Sequence, residues 1–206
     1  GQLDSYALSE KIHERFYHGY YEVKLPHKFK IAVGGCPNNC VKPDLNDFGI
    51  VGQRIPSYNV DICRGCGKCQ IADICPMGAA QVTDGKLVID GDTCNNCGRC
   101  IGKCPFHAAD EGTYGYKVYI GGRWGKKTAH GQALDKIFTI EEEVLSVLEK
   151  AILLFREQGN TGERFADTVN RIGFENVQEQ LLGDELLSRK ENIVGAKLHL
   201  KGGATC

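Results

Sequence analysis

Helical periodicity marks the start and the last third of the chain. Between Ser5 and Tyr17, apolar residues recur at near-helical spacing with polar residues between them, which predicts an amphipathic helix. Thr139 followed by Glu142 has the spacing of a capping box before an apolar run, so a helix is predicted from there to Gly159. Two further helices are predicted at 163–172 and 174–182. We expect their apolar faces to pack a core.

Alternating apolar and polar positions predict short strands in the rest of the chain. Residues 29–33 alternate and run into a glycine pair, and residues 48–51 and 116–120 have a similar pattern. The segment TDGKLVI contains Asp84-Gly85, a dipeptide typical of hairpin turns. Pro56-Ser57 is interpreted as a linker into the segment that follows.

Length and charge restrict the classes of partner. The 206 residues can bury a sizeable core and fit one ordinary domain with a small insert. The formal net charge is −1 and both signs are mixed along the chain, which argues against a nucleic-acid footprint or a polybasic membrane patch. No run approaches about eighteen apolar residues, so we expect no membrane span. Small molecules or proteins are the expected partners, in the cytoplasm.

Cysteine spacing points to metal chemistry instead of disulfides. Of 11 cysteines, ten fall between Cys36 and Cys104, most of them in CxxC spacing. Such spacing in a chain of this length is typical of metal and cluster sites, whose thiolates must stay reduced. We therefore expect a niche poor in oxygen. Cys206, alone at the last position, is interpreted as an incidental thiol.

The segment from residue 58 to residue 110 contains a repeated ligand pattern. Each copy has the form CxxCxxC followed by a Cys-Pro, as in two-cluster bacterial ferredoxins, where the fourth cysteine ligates the other cluster. One predicted ligand set is Cys63, Cys66, Cys69 and Cys104, and the other is Cys94, Cys97, Cys100 and Cys75. Five residues separate Cys69 from Cys75 where three are usual, and we expect the extra two to bulge outward. The alternative is a pair of zinc sites, since CxxC pairs also bind zinc.

Together with this insert, the segments PHKFKIAVGGCPNNC, GGRWG and ERFADTVNRIG resemble siroheme-containing sulfite reductases of the dissimilatory and anaerobic type, or related nitrite reductases. The resemblance implies an α+β fold, a mixed sheet with packed helices, and an inserted ferredoxin-like domain. The implied domains are 1–56 and 112–206, two parts of a reductase half-domain, with the insert at 57–111.

The resemblance also implies a third 4Fe-4S cluster coupled to siroheme. In the family, a CxxxxxC pair and a CxxxC pair hold this cluster, and the last cysteine bridges to the siroheme iron. Cys36 and Cys40 match the second pair, and Cys40 matches the bridging, catalytic thiolate. The first pair should lie upstream, so we expect this chain to be the C-terminal part of a longer protein that also supplies the substrate-binding residues. Without that pair, the two thiols could be empty, bind a stray metal or form a disulfide.

Other residues match the cofactor-binding positions of the family. These are Gly34, Gly35 and Asn38 around the CxxxC loop, and Gly121, Gly122 and Arg123 at a turn on the haem side. Arg123 is interpreted as a partner of a siroheme carboxylate or as a surface cation. The stretch with Lys126, Lys127 and His130 is interpreted as a solvated loop, and His107 as a surface residue.

The implied function is that of part of an oxidoreductase. It would reduce sulfite or nitrite by six electrons at a siroheme–4Fe-4S centre, with the insert relaying electrons from a donor protein or reductase. This chain alone should be inactive, because the substrate-binding residues are not in it. The alternatives are a stand-alone 4Fe-4S electron carrier without catalytic haem and a zinc-stabilised interaction module.

Overall fold

The computed structural model describes residues 1–198, and Cys206 lies outside this part of the chain. Its residues form two compact units. The cysteine-rich unit contains Gly1–Leu3, Gly35–Asn38 and Gly52–Gly115. The sheet-and-helix unit contains Asp4–Gly34, Asn39–Val51 and residues 116–198. The cysteine-rich unit is therefore wider than the insert predicted at 57–111.

The elements follow the chain in mixed order, as expected for an α+β protein. The helices are α1 (Ser5–Ile12), α2 (Gln70–Ile74), α3 (Glu141–Gln158), α4 (Phe165–Ile172), α5 (Phe174–Leu182), α6 (Glu185–Ser188) and α7 (Lys190–Gly195). A π-helical turn, His13–His18, continues α1, and a 3-10 turn covers Pro43–Leu45. The strands are β1 (Ile31–Gly34), β2 (Phe48–Ser57), β3 (Ala80–Thr83), β4 (Lys86–Ile89), β5 (Glu111–Ile120) and β6 (Gln132–Phe138). No helix within the described range is long and apolar enough to cross a bilayer.

A mixed four-stranded sheet has the order β1-β2-β5-β6. Strand β1 runs parallel to β2, with Ile31 opposite Phe48, while β5 and β6 are antiparallel, with Tyr116 opposite Phe138. The mixed sheet predicted from the family resemblance is thus confirmed. The linker predicted at Pro56-Ser57 is wrong, because both residues belong to β2. Proline is tolerated there because it lies near the end of the strand.

Helix α3 forms the centre of the core in the sheet-and-helix unit. Its residues Leu148, Leu153 and Leu154 are fully buried. Phe155 meets Phe29 and Phe165, with ring centroids 5.9 and 5.4 Å away. Burying large aromatic and branched side chains contributes roughly 1.5–3 kcal/mol each, so this helix fixes the position of the strands it covers.

The predicted C-terminal ends of α3, α4 and α5 are correct, whereas three other boundaries are wrong. One of these is the start of α4, which begins at Phe165, two residues after the predicted position. Gly159 follows α3, Gly173 follows α4, and α5 spans the predicted residues. However, α3 begins at Glu141 after Ile140 and has no side-chain cap. Three glutamates in its first turn interact favourably with the positive end of the helix dipole. This interaction stabilises the start of the helix in place of the expected capping box. The first predicted helix changes to π geometry after Ile12.

The cysteine-rich unit is built around the predicted hairpin. Strands β3 and β4 pair antiparallel, with Thr83 opposite Lys86. Asp84 and Gly85 both have positive φ, at 52° and 71°, as the two-residue turn of a twisted hairpin requires. The buried core of this unit consists of Ile71, Ala80, Leu87 and Ala109. Half-buried cysteines from both triplets surround this core.

Candidate functional site

Eight cysteines of the cysteine-rich unit line two separate cavities. One cavity is lined by Cys75, Cys94, Cys97 and Cys100, and will be called the Cys75 cavity. The other is lined by Cys63, Cys66, Cys69 and Cys104, and will be called the Cys104 cavity. In each case, a triplet from one copy of the repeat is joined by the Cys-Pro cysteine of the other copy. The geometry therefore brings together the two crossed sets expected from the spacing.

Glycines allow the triplet loops to turn tightly. Gly65 and Gly98 have φ of 61° and 70°, values that residues with a side chain rarely adopt. A Cβ on Gly65 would also collide with the carbonyl oxygen of Gly85 in the hairpin turn. The first triplet loop consequently approaches the hairpin turn closely, and the second approaches Arg54 on β2.

The longer spacing after Cys69 forms a helix instead of a bulge. Residues Gln70–Ile74 make α2, which begins directly after Cys69 and ends at Cys75. Ile71 in this helix is buried in the core of the unit. The five intervening residues thus place the two cysteines at opposite ends of one helical turn, on different cavities. The expectation of an outward bulge was wrong, because the helix buries the Ile71 side chain in the core, whereas a bulge would expose it to solvent.

Backbone N–H groups face several of the thiols. The amide of Leu87 donates to Cys63 Sγ at 3.2 Å, and that of Asn96 donates to Cys94 Sγ at 3.4 Å. Burial acts to raise the pKa of Cys75. Hydrogen bonds from the backbone of Ala80, Met77, Ala79 and Gly78 outweigh this effect and lower that pKa below its usual value. Such donors favour thiolates and sulfur-ligated clusters.

Cys100 shows that the four groups of the Cys75 cavity lie close enough to interact. Burial raises the pKa of the Cys100 thiol, and the charges of Cys94, Cys97 and Cys75 raise it further. Bringing four thiolates together is therefore unfavourable without a cation between them. Within residues 1–198, no three His, Cys, Asp or Glu side chains converge tightly enough to hold a single metal ion. Four thiols around each cavity are the ligand set of a four-iron cluster, which is larger than a single ion.

The CxxxC loop follows β1 and contributes to both units. Cys36 and Asn38 belong to the cysteine-rich unit, whereas Cys40 belongs to the sheet-and-helix unit and is exposed. The Gly35 carbonyl accepts hydrogen bonds from the amides of Gln2, at 2.6 Å, and Leu3, at 3.0 Å. None of the ten described cysteines forms a disulfide.

The glycines near this loop are explained by close packing. A Cβ on Gly34 would lie 2.8 Å from Pro43 Cγ. Gly121 has φ of 76° and donates its N–H to the Asp47 carbonyl at 3.0 Å. A Cβ on Gly122 would collide with the backbone oxygen of Asp44. These contacts require glycine whether or not a cofactor is bound.

The charged residues after Gly122 make contacts within the sheet-and-helix unit. Arg123 pairs with Asp167 at 3.0 Å, and its backbone exchanges hydrogen bonds with Ala129. His130 Nδ1 lies 2.7 Å from Asp44 Oδ2. Lys126 and Lys127 are exposed, consistent with a solvated loop. In the cysteine-rich unit, His107 is exposed and lies 2.6 Å from Asp110 Oδ2.

Sequence reasoning missed two residues beside the Cys75 cavity. The side-chain amide of Gln2 donates to the Cys97 carbonyl at 3.1 Å. Arg54 on β2 forms a bridge with Cys97 and packs against Gly98. The predicted strand at 48–51 ended before Arg54, which the structure places in the less buried half of β2, so Arg54 was missed. The sequence has no corresponding signal for Gln2, since its partner lies 95 residues away.

A mixed sheet with packed helices, together with a unit that presents two crossed four-cysteine cavities, defines an iron–sulfur protein with a ferredoxin-like part. The family described as the nitrite and sulphite reductase 4Fe-4S domain matches residues 1–190. This chain belongs to that family. The resemblance inferred from the sequence motifs is thereby confirmed.

Similar proteins include sulfite reductases from archaea and bacteria. The chain is 32% identical over 183 residues to the coenzyme F420-dependent sulfite reductase of Methanocaldococcus jannaschii, covering 88% of this chain and 28% of that protein. It is 27% identical to one subunit of the anaerobic sulfite reductase of Salmonella typhimurium, covering 96% of this chain and 61% of that protein. A crystal structure of dissimilatory sulfite reductase I shares the fold, with a TM-score of 0.61 and 22% identity over 99% of this chain and 51% of that chain. The chain thus spans less than two thirds of each of these relatives.

Proposed function

We propose that this chain is the electron-delivering part of a siroheme-containing sulfite or nitrite reductase. The observation that supports this most directly is the pair of four-thiol cavities within a member of the nitrite and sulphite reductase family. Each cavity would hold one 4Fe-4S cluster through its four cysteines. When bound, such clusters supply one-electron transfer at low potential.

The residues around the cavities support this assignment. Amides of Leu87 and Asn96 point at the sulfurs of Cys63 and Cys94, and four amides surround Cys75. Donors in these positions would hydrogen-bond the sulfur atoms of a thiolate-ligated cluster, which is a common way for a protein to stabilise such a group. A zinc-stabilised module would not need two sets that each draw a cysteine from the other repeat.

The role proposed for the CxxxC loop rests on the family. Cys36 and Cys40 would provide half of the ligands of a third 4Fe-4S cluster in the complete reductase, and Cys40 would bridge it to siroheme. Gly34, Gly35 and Asn38 would let the loop approach the macrocycle. Gly121, Gly122 and Arg123 would form a turn on the haem side. Arg123 now donates hydrogen bonds to Asp167, and it would break them to bind a siroheme carboxylate.

The substrate proposed for the complete reductase is a small anion, sulfite or nitrite, and each requires six electrons. A donor protein or reductase would deliver them to the cysteine-rich unit. Because iron-ligating thiolates must remain reduced, we place the protein in the cytoplasm of an organism that avoids oxygen. The second candidate function is a stand-alone electron carrier. The eight cavity cysteines favour it equally, whereas the match over 190 residues favours the reductase.

Iron and acid-labile sulfide per chain, measured with an absorption spectrum after anaerobic purification, would test the proposal. About eight irons and eight sulfides are expected in this chain, from two four-iron clusters. The complete reductase should contain about twelve irons and show siroheme bands. Eight irons in both, without haem bands, would instead establish the carrier. Zinc in place of iron would exclude both.

A further inference from the structure

Arg54 presents a charged group that has no anionic partner among the described residues. It lies on β2, its amide donates to the Asn96 carbonyl at 2.7 Å, and its guanidinium lies 3.7 Å from the centre of the Tyr114 ring. Its Nε and Nη1 atoms are buried and make no hydrogen bond with any described residue. Among the ion pairs of residues 1–198, none involves Arg54.

Arg54 is partly buried, and its two buried nitrogens without hydrogen bonds favour an anion nearby. Leaving a charged donor desolvated and unpaired is unfavourable, and contact with a ring face compensates only part of that cost. Arginine also remains protonated at any ordinary pH. The unpaired nitrogens of Arg54 therefore indicate that a negative group belongs beside them.

The Cys75 cavity is the neighbour of Arg54. The Cβ and Cγ atoms of Arg54 lie 2.7 and 2.8 Å from the point where a Cβ on Gly98 would stand, and Gly98 lines the cavity. Pro56, two residues further on the same face of β2, lines the cavity as well. A four-iron cluster ligated by four thiolates carries net negative charge and would occupy this space.

We propose that Arg54 is a positioning residue whose charge raises the reduction potential of the cluster in the Cys75 cavity. The cluster gains one negative charge on reduction, so a cation held in a desolvated position favours the reduced form. This inference rests on the function proposed above. It adds that the two clusters of the unit are tuned by different residues.

The Cys75 cavity is connected to the CxxxC loop, so the potential of its cluster would affect electron transfer toward that loop. The Gln2 side chain donates to the Cys97 carbonyl at 3.1 Å, and the Gln2 amide donates to the Gly35 carbonyl at 2.6 Å. Gly35 is bonded to Cys36, so one residue links the wall of the Cys75 cavity to the CxxxC loop. A raised potential would favour the electron on the cluster of the Cys75 cavity. From there, Gln2 links the cavity wall to the CxxxC loop.

Other cations near the cavities provide controls. Arg99 lines the Cys75 cavity, and Arg64 and Lys68 line the Cys104 cavity, but all three side chains belong to exposed residues. Water and salt screen exposed charges strongly, so their effect on a cluster should be small. Arg99→Gln removes the same charge beside the same cavity as Arg54→Gln and is therefore the matched control.

The test is a redox titration of the chain with both clusters assembled. Dithionite is the reductant, and electron paramagnetic resonance measures the reduced fraction of each cluster at each potential. Cys75→Ala removes a ligand of the cluster in the Cys75 cavity, so the signal that it abolishes belongs to that cavity. Arg54→Gln should lower the reduced-to-oxidised ratio of that signal at least tenfold at a fixed potential, which corresponds to about 59 mV for one electron. Arg54→Lys keeps the positive charge, so its potential should stay close to that of the unaltered chain. The other signal should remain unchanged in both variants.

Equal shifts of both signals, no shift, or an equal shift in Arg99→Gln would overturn the inference. If Arg54→Gln fails to assemble the cluster, Tyr114→Leu provides a second measurement. It keeps the charge but removes the ring that holds it, and should lower the same potential by a smaller amount. An unchanged potential there would also overturn the inference. Failure of the proposed function is distinguishable, because it would appear as zinc in the unaltered chain or as a complete protein without siroheme bands, and neither result depends on Arg54.

Discussion

Paired cysteine replacements would determine whether the ligand sets cross between the two copies of the repeat. A single change such as Cys75→Ala removes one thiol from one cavity and should reduce about eight irons to about four. An uncrossed arrangement predicts the same loss. Single variants therefore count clusters without showing which cysteines share one.

Double variants separate the two arrangements. Cys75 and Cys97 line the same cavity, so Cys75→Ala/Cys97→Ala should retain about four irons, the same as either single variant. Cys66 lines the other cavity, so Cys75→Ala/Cys66→Ala should lose nearly all iron. The non-additivity of the first pair is the signature of residues that act on one group.

Iron and acid-labile sulfide per chain, determined on anaerobic preparations, would provide the assay. Cys36→Ala offers a matched control, because Cys36 lines neither cavity, and it should keep about eight irons. The reasoning would be refuted if Cys75→Ala/Cys97→Ala lost all iron while Cys75→Ala/Cys66→Ala kept half. That result would place Cys75 with the triplet that precedes it in the sequence.

Three predictions concern stability and can be checked by urea or thermal unfolding. Asp47 is fully buried and pairs with Arg164 at 2.7 Å, so Asp47→Ala should cost about 3–5 kcal/mol by leaving a buried cation, and adding Arg164→Met should recover part of it. Arg171 lowers the pKa of Glu163 to about 2, so this pair stabilises the fold above about pH 4.5 and loses that effect as the pH falls to 2. Since water screens the pair, Glu163→Gln should cost about 1–2 kcal/mol at pH 7 and nothing at pH 2; an equal cost at both would contradict the assignment. Gly65→Ala should cost about 1–3 kcal/mol through its positive φ, and an unchanged midpoint would disprove the strain.

Sequence reasoning reached the parts of the structure that local rules determine. The Asp84-Gly85 turn and helix α5 follow from dihedral preference and periodicity. Strand β6 was missed because it follows a basic, glycine-containing stretch and has charged residues at its centre, where pairing with β5 outweighs the pattern. Ile140 replaced the expected cap because tertiary contacts decide where α3 begins. The proximity of Gln2 and Arg54 to a cavity arises from contacts distant in sequence, which no local pattern encodes.

The small core of the cysteine-rich unit connects its folding with its supply of iron. Four buried residues, Ile71, Ala80, Leu87 and Ala109, form that core, and cysteines pack around it. So little apolar burial offers little against the entropy of ordering the loops, so under the proposed function cofactor assembly would itself be a folding step. Newly made chains would compete for the cell's iron–sulfur assembly machinery. Chains that oxygen strips of iron would become substrates for proteases, which links the abundance of this protein to the redox history of the cell.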